Sequence, residues 1–211
     1  MNPSEIIQVW GAGTTRTMRV HWLLHELDVP YETFPIMPRS GETREKSYLA
    51  LNPKGKIPLL VHGQFVLSES LAILRYLRNK IPVLPHDSYQ LSDEGKARYD
   101  EWISFILMEL DATSLYVIRR HKDLHEIYGE APVAVNAALE YFELMLASIG
   151  DETGLNNYAW GYIFSEVDIL LTVTLDWARF SGIELQDKFL RYLDRMHSRE
   201  AYRAAYKKNY G

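Results

Sequence analysis

The stretch IPLLVHGQFVLSESLAILRYL, residues 57–77, decides how the first part of this chain folds. Two β-type runs, Ile57–Val61 and Phe65–Leu67, flank a turn that contains glycine, and this pattern predicts a hairpin. Ser68-Glu69-Ser70 then leads into apolar residues at helical spacing, which predicts a helix with capping residues at its start. The stretch therefore predicts the order strand, strand, helix.

The residues before this stretch predict a strand, a helix and another strand. Ile6–Trp10 is a short β-type run that ends at a Gly-Ala-Gly loop. Thr17–Leu27 has apolar residues at helical spacing and ends near Val29-Pro30, and Tyr31–Met37 alternates as a strand does. A βαβ half followed by two strands and a helix is the arrangement of the thioredoxin-like fold.

The rest of the chain predicts helices and no convincing strand. Apolar residues at spacings of three and four predict long amphipathic helices over Gly95–Arg120 and Pro132–Ile149. The helix predicted from Ser165 to Phe180 is apolar on nearly all sides, as at the centre of a bundle. We therefore expect an α/β thioredoxin-like domain over residues 1–81, a proline-containing linker over 82–88 and an all-α helical bundle over 89–211.

The composition excludes several classes of chemistry. The 211 residues carry 23 Lys and Arg against 28 Asp and Glu, whereas a face that binds nucleic acid is strongly basic. Cys is absent, which removes disulfides, thiolate metal sites and a protein thiol as nucleophile. The sequence has no signal-peptide pattern and no apolar run that could span a bilayer. We expect a cytoplasmic protein without nucleic-acid or membrane partners.

Three polar segments have both a structural interpretation and a binding interpretation. Gly13-Thr14-Thr15-Arg16-Thr17 lies where a strand passes into a helix, so its hydroxyls either cap the helix or help its N-terminus bind an anion. Ile57-Pro58 is either a trans bond at a strand start or a cis bond that exposes the backbone of residue 57 to a ligand. Ser68-Glu69-Ser70 is either a plain helix cap or a carboxylate site.

In this order and spacing the segments resemble the glutathione transferase superfamily. Thr15–Leu27 is similar to the family's first loop and helix, Asn52–Leu60 to its cis-proline segment, and Glu69–Ile73 to its γ-glutamyl site. In the second half, Ser165 and Asp168 resemble the N-capping box of the family's buried central helix. The resemblance covers essentially the whole chain and points to cytosolic, bacterial-type members that use a serine or threonine hydroxyl rather than a cysteine.

The resemblance implies a transferase that binds glutathione as co-substrate. The thiolate of glutathione would attack small hydrophobic electrophiles, as in detoxification, with a peroxidase side activity. Thr15 takes the position of the family's catalytic serine, and Thr14 is the alternative because some members use the hydroxyl one residue earlier. A free thiol titrates near ~8.5, and a hydroxyl donor with a helix N-terminus stabilises its anion. Threonine keeps the donor, but its branched Cβ restricts the hydroxyl's direction.

The same resemblance implies the other glutathione contacts. Ile57, which precedes Pro58, would pair its backbone with the cysteinyl unit of glutathione, and Glu69 with Ser70 would hold the γ-glutamyl group. The glycyl carboxylate would meet a cation, and the sequence does not choose among Arg39, Lys54 and Lys56.

The second domain would supply the electrophile pocket and part of a homodimer interface. Ser104 would reach across the interface, and the pocket would lie between the domains near Asp111, Tyr116 and Arg120. We expect no metal, because the two histidine pairs at helical spacing lack an evident third ligand; these pairs are His21/His25 and His121/His125.

Two other functions remain open at this point. The first is a non-catalytic binding or regulatory protein on the same fold, which the threonine in place of serine keeps open. The second is a specialised glutathione-dependent isomerase. The maleylacetoacetate isomerase class carries a Ser-Ser-Cys run where this chain has Thr14-Thr15-Arg16, which disfavours that function.

Overall fold

The computed structural model describes residues 6–81, 91–150, 155 and 157–211. The described residues form two compact units. One unit contains residues 6–81 together with 196–211, and the other contains the described residues between 91 and 195. The predicted linker at 82–88 lies outside the described residues.

The first unit is built on a four-stranded mixed sheet. Its strands are β1 (Ile7–Trp10), β2 (Tyr31–Phe34), β3 (Leu59–His62) and β4 (Phe65–Ser68). They lie in the order β2-β1-β3-β4. β1 is parallel to β2 and antiparallel to β3, which is antiparallel to β4. The predicted hairpin and the thioredoxin-like topology are confirmed.

Four helices complete the first unit, and one of them comes from the far end of the chain. They are α1 (Thr15–Glu26), α2 (Lys46–Leu51), α3 (Ser70–Lys80) and α10 (Glu200–Tyr210). α1 is buried on most of its sides from Thr17 to Leu24, so the sheet alone cannot cover it, and α10 packs against it. The sequence placed residues 196–211 with the helical domain, and the observed contacts differ in this respect.

The described residues of the second unit are mostly helical. Its helices are α4 (Asp93–Phe105), α5 (Tyr116–Ile118), α6 (His125–Tyr128), α7 (Pro132–Ala147), α8 (Glu166–Phe180) and most of α9 (Asp187–His197). The helix predicted over Gly95–Arg120 is helical throughout, but it widens into π-helical turns over 106–115 and 119–123. The sequence could not predict this widening, because spacings of three and four are the same signal in both helix types.

α8 is the buried centre of the second unit, and its start is fixed by Asp168. The predicted capping box between Ser165 and Asp168 is confirmed. The Asp168 carboxylate accepts hydrogen bonds from the backbone N–H of Ala159 at 2.7 Å, the backbone N–H of Ser165 at 2.9 Å and the hydroxyl of Tyr192 at 2.9 Å. Burial raises the pKa of Asp168 to about 6. One carboxylate thus satisfies several buried donors around the start of α8.

Candidate functional site

The N-terminus of α1 carries the two candidate hydroxyls. Thr14 is the N-cap residue and Thr15 is the first residue of the helix. The Thr14 hydroxyl oxygen accepts a hydrogen bond from the Thr17 N–H at 3.0 Å, and the Thr17 hydroxyl oxygen accepts one from the Thr14 N–H at 3.0 Å. These two bonds form a reciprocal capping box. Capping therefore engages Thr14 but not Thr15.

Asn209 of α10 extends this arrangement, and the sequence analysis did not single it out. Its side-chain nitrogen donates to the Thr14 carbonyl at 3.1 Å, and its backbone carbonyl accepts from the Gly13 N–H at 2.8 Å. The Thr17 hydroxyl donates to its side-chain oxygen at 2.6 Å. The side chain is buried, and no local pattern could have revealed it because 192 residues separate it from Thr17.

These contacts determine where the hydroxyl protons go. The Thr14 carbonyl can only accept, so the amide nitrogen of Asn209 faces it and the amide oxygen faces Thr17. The single hydroxyl proton of Thr17 is then used toward Asn209, and the Thr17 oxygen, 2.9 Å from the Thr14 hydroxyl, accepts the proton of Thr14. The Thr14 hydroxyl has no proton left for a ligand.

The Thr15 hydroxyl is placed differently. The Thr15 residue is 8% exposed, and within the described part of the chain its hydroxyl has no hydrogen-bond partner. As the first residue of α1 it also lies at the positive end of the helix dipole. An anion at this point would meet an unused hydroxyl donor and a helix N-terminus together.

Two glycines allow the loop before α1 to pass close to its neighbours. Gly11 has φ +116°, and a Cβ added to it would lie 2.6 Å from the Cβ of Ile57. Gly13 has φ +72°, and a Cβ added there would lie 2.4 Å from the terminal carbon of Met37. Any other residue at either position would be strained in its backbone, and at Gly11 it would also clash with Ile57. The Thr15 loop and the Ile57 segment are therefore in direct contact.

The Ile57-Pro58 bond is cis, as the resemblance implied. Among the described residues, neither the N–H nor the C=O of Ile57 has a hydrogen-bond partner. The neighbouring Lys56 carbonyl is held instead by the Tyr48 hydroxyl at 2.7 Å and the Asn52 side-chain amide at 2.7 Å. The Ile57 backbone is thus available to pair with an extended peptide.

The start of α3 has no side-chain cap, so the capping interpretation of Ser68-Glu69-Ser70 is wrong. Glu69 occupies the N-cap position with φ +75° and makes no capping hydrogen bond. This left-handed backbone directs its carboxylate to the Lys54 ammonium, 2.8 Å away. The hydroxyl of Ser70 is buried and accepts from the Arg19 guanidinium at 3.3 Å. The first N–H groups of α3 face no capping side chain, which suits a carboxylate ligand.

The three candidate cations differ in their surroundings. Lys54 pairs with Glu69, but both side chains are more than half exposed, so the pair contributes at most about 1 kcal/mol to stability. Arg39 and Lys56 are exposed, and neither forms an ion pair with a residue that the structure describes. The Lys54 charge therefore lies beside Glu69, whereas Arg39 and Lys56 form no ion pair within the described residues.

His21 supports the loop that carries Thr15. The sequence pattern pointed to it only as one member of a candidate metal-binding histidine pair. Its Nε2 lies 3.1 Å from the Gly11 carbonyl and its Nδ1 lies 2.9 Å from the Tyr31 hydroxyl. Because a carbonyl only accepts, Nε2 carries the proton and the Tyr31 hydroxyl donates to Nδ1. Burial lowers the pKa of His21 to about 4 and raises the pKa of Tyr31. His21 is therefore neutral at physiological pH.

His21 makes the stability of the first unit depend on pH. The folded chain protonates this imidazole only near pH 4, whereas an unfolded histidine takes up its proton near 6.5. The free energy of unfolding should therefore fall as the pH drops from 6.5 to 4, by about 3 kcal/mol from this residue. Urea unfolding of wild type and His21→Asn across this range should show a smaller loss in the variant.

The control for this measurement is His121→Gln, which replaces a histidine at the protein surface and should retain the wild-type pH dependence. If His21→Asn and wild type lose stability in parallel between neutral pH and pH 4, the assignment of the slope to His21 is wrong.

The remaining candidate residues lie in the second unit. Ser104 is exposed near the end of α4. Asp111 is buried in the first π-helical segment, and Tyr116 is the first residue of α5. Arg120 lies in the second π-helical segment, with its guanidinium carbon 4.4 Å from the ring centroid of Tyr128. Their roles in an electrophile pocket and a dimer stay predictions.

Across residues 6–81, 91–150, 155 and 157–211, no three His, Asp or Glu side chains come together in a way that could hold a metal ion. None of the helices in these ranges is both long enough and apolar enough to cross a membrane.

A thioredoxin-like domain with a cis-proline segment, an uncapped α3 and a helical second unit defines the class of the glutathione transferases. Residues 6–79 match the family model of the glutathione S-transferase N-terminal domain. The first unit therefore carries a glutathione S-transferase N-terminal domain, and the chain as a whole is similar to glutathione S-transferases.

Individual relatives agree with this assignment. Glutathione S-transferase F9 of Arabidopsis thaliana is 27% identical over 124 residues, which cover 59% of this chain and 55% of that protein. The chain spans about half the length of the curated relatives it matches.

Solved structures extend the likeness over nearly the whole chain. The theta-class glutathione S-transferase of Xanthomonas axonopodis pv. citri with glutathione bound is 25% identical, with a TM-score of 0.75 over 95% of this chain and 97% of that one. Ure2p in complex with glutathione has a TM-score of 0.82 at 18% identity, over 97% of this chain and 100% of that one, which is a likeness of fold alone.

Proposed function

We propose that this chain is a glutathione transferase in which Thr15 stabilises the thiolate of bound glutathione for attack on small hydrophobic electrophiles. One observation carries this proposal. The Thr15 hydroxyl is unused within the described residues at the start of α1, whereas the proton of the Thr14 hydroxyl is used within the capping box. Thr15 is thus the donor and Thr14 the cap.

The proposed glutathione site follows the unsatisfied groups of the first unit. The cysteinyl unit pairs with the backbone N–H and C=O of Ile57, next to cis-Pro58, which puts the thiol near Thr15. The γ-glutamyl carboxylate lies at the uncapped start of α3 beside Ser70, and the γ-glutamyl ammonium meets Glu69. This proposal is supported by the bound glutathione of the Xanthomonas axonopodis structure.

Two of the three candidate cations remain as possible partners of the glycyl carboxylate. Lys54 already pairs with Glu69 at the γ-glutamyl end of the site, and its charge favours the γ-glutamyl carboxylate there. Arg39 and Lys56 are exposed and form no ion pair with any described residue, so one of them meets the glycyl carboxylate.

The energy that the site must supply is modest. Lowering a thiol pKa from ~8.5 to about 7 requires roughly 2 kcal/mol of preference for the thiolate. A hydrogen bond to a charged group contributes about 1.5–3 kcal/mol, and a helix N-terminus adds about 0.3–1 kcal/mol. The Thr15 hydroxyl and the start of α1 are together sufficient, and no protein thiol or metal is needed for this step.

The rest of the proposal concerns residues beyond the glutathione site. Asp111, Tyr116 and Arg120 line the pocket for the electrophile, and Ser104 belongs to a homodimer interface. The proposal also includes a cytoplasmic location and a peroxidase side activity. These points follow from the resemblance of the sequence to the glutathione transferases.

A non-catalytic glutathione-binding protein is the second candidate. The likeness of fold to Ure2p and the threonine in place of the family's serine favour it. It would keep the Ile57 and Glu69 contacts but would not turn over an electrophile.

Binding and turnover distinguish the two candidates. We expect the wild-type protein to be retained on immobilised glutathione, to be eluted by free glutathione, and to conjugate a chlorinated aromatic substrate. Retention without turnover would favour the non-catalytic protein. Absence of both would contradict the proposal as a whole.

A further inference from the structure

We propose that Asn209, in the last turn of α10, is a positioning residue that makes Thr15 the thiolate donor. This inference rests on the proposed function and adds to it a residue from the opposite end of the chain. Asn209 itself would touch neither glutathione nor the electrophile. It acts through the loop that carries Thr14 and Thr15.

α10 lies antiparallel along α1, with contacts at three levels. At the C-terminal end of α1, the Arg199 guanidinium donates to the Glu26 carboxylate at 2.6 and 2.7 Å. In the middle, Trp22 and Tyr202 pack edge to face with ring centroids 4.9 Å apart. At the N-terminal end, Asn209 contacts the loop before the helix. The first two levels fix the helix pair and leave Asn209 to fix the loop.

Asn209 fixes the peptide unit that precedes Thr15. Its side-chain nitrogen donates to the Thr14 carbonyl, which belongs to the same peptide plane as the Thr15 N–H. Its backbone carbonyl holds the Gly13 N–H. The orientation of the Thr15 N–H, and with it the start of α1, is therefore set from both sides of Thr14.

Asn209 also sets which of the Thr14 and Thr17 hydroxyls donates the hydrogen bond between them. Because its amide oxygen takes the Thr17 proton at 2.6 Å, the Thr17 oxygen is left to accept from Thr14. Without that acceptor the Thr17 hydroxyl is free to donate to the Thr14 hydroxyl oxygen, 2.9 Å away, and that reversal would release the Thr14 proton. Asn209 is 3% exposed, so its amide contacts are shielded from bulk water.

The test measures the pKa of the bound glutathione thiol by the ultraviolet absorbance of its thiolate. We expect Asn209→Ala to raise this pKa by about half to one unit, because about 1 kcal/mol of hydrogen bonding that orients the donor is lost. The dissociation constant of S-methylglutathione, which has no thiol to ionise, should change less than about twofold. Asn209→Asp keeps the acceptor but loses the donor and adds a negative charge, so its pKa rise should be larger.

The matched control is Arg199→Ala, at the other end of the same helix pair. It removes a partly buried ion pair and should lower the urea concentration at the unfolding midpoint, while the thiol pKa stays within about 0.2 units of wild type. A double-mutant cycle adds a second readout. If Asn209 acts through Thr15, Asn209→Ala should change the thiol pKa by less than half as much in a Thr15→Val background.

Each outcome has a definite meaning. A wild type that binds glutathione, with Asn209→Ala leaving the thiol pKa unchanged, overturns this inference and leaves the proposed function intact. The same conclusion follows if Arg199→Ala raises the thiol pKa as much as Asn209→Ala, because the effect would then be general loosening of α10. A wild type that does not bind glutathione overturns the proposed function and this inference together.

Discussion

Thr15→Val is expected to raise the pKa of the bound glutathione thiol by about one to two units, which corresponds to the loss of one hydrogen bond to a charged sulfur. Valine keeps the branched shape of threonine and removes only the hydroxyl, so the loop should stay folded. At a pH near 6.5, kcat/KM with a chlorinated aromatic substrate should fall by about 10-fold to 100-fold, in parallel with the smaller thiolate fraction. Titration of the thiolate absorbance and steady-state kinetics measure both effects.

Two further variants control this prediction. Thr15→Ser restores the donor and removes the constraint of the branched Cβ, so its thiol pKa should be at or below that of wild type. Thr14→Ala should lower the free energy of unfolding by about 1 kcal/mol through loss of the helix cap, with a smaller effect on the thiol pKa. A larger pKa rise in Thr14→Ala than in Thr15→Val would reverse the assignment of donor and cap.

Asp168→Ala is expected to lower the free energy of unfolding by about 3–5 kcal/mol, which leaves a chain of this size marginally folded. The substitution strands the N–H groups of Ala159 and Ser165 and the hydroxyl of Tyr192, all of which donate to this carboxylate at the buried start of α8. Urea unfolding followed by circular dichroism measures the loss. The control is Asp194→Ala, at an exposed position on α9, which should change stability by less than about 0.5 kcal/mol. Equal losses in the two variants would contradict the capping role.

Asp168 and His21 change the free energy of unfolding in opposite directions as the pH rises. The pKa of Asp168 is raised from 3.8 to about 6, so the folded chain holds this proton more tightly and the resulting stability is lost as the pH rises toward 6. The pKa of His21 is lowered, so its contribution is lost as the pH falls below 6.5. The two slopes partly cancel in the wild-type protein, and only the single variants separate them.

Features that depend on neighbouring residues were predictable from the sequence. The hairpin follows from two apolar runs around a glycine turn, and the box between Ser165 and Asp168 follows from a spacing of three residues. The capping interpretation at Glu69 was wrong because the residue adopts φ +75° and turns to Lys54, 15 residues away in the sequence. A local pattern gives no information about such a partner.

The sequence by itself determined the thioredoxin-like order of strands and helices, the helical second half and the positions of the three polar segments to which we assign glutathione binding. Hydrophobic periodicity and turn residues are properties of a few consecutive positions, and a chain carries them before it folds. The tertiary structure decided which of two adjacent threonines keeps an unused hydroxyl. That choice depends on Asn209, which only the packing of α10 on α1 brings to Thr17 across 192 residues. Packing sets the hydrogen-bond partners of buried groups, and the spacing of residues along a short segment does not specify packing.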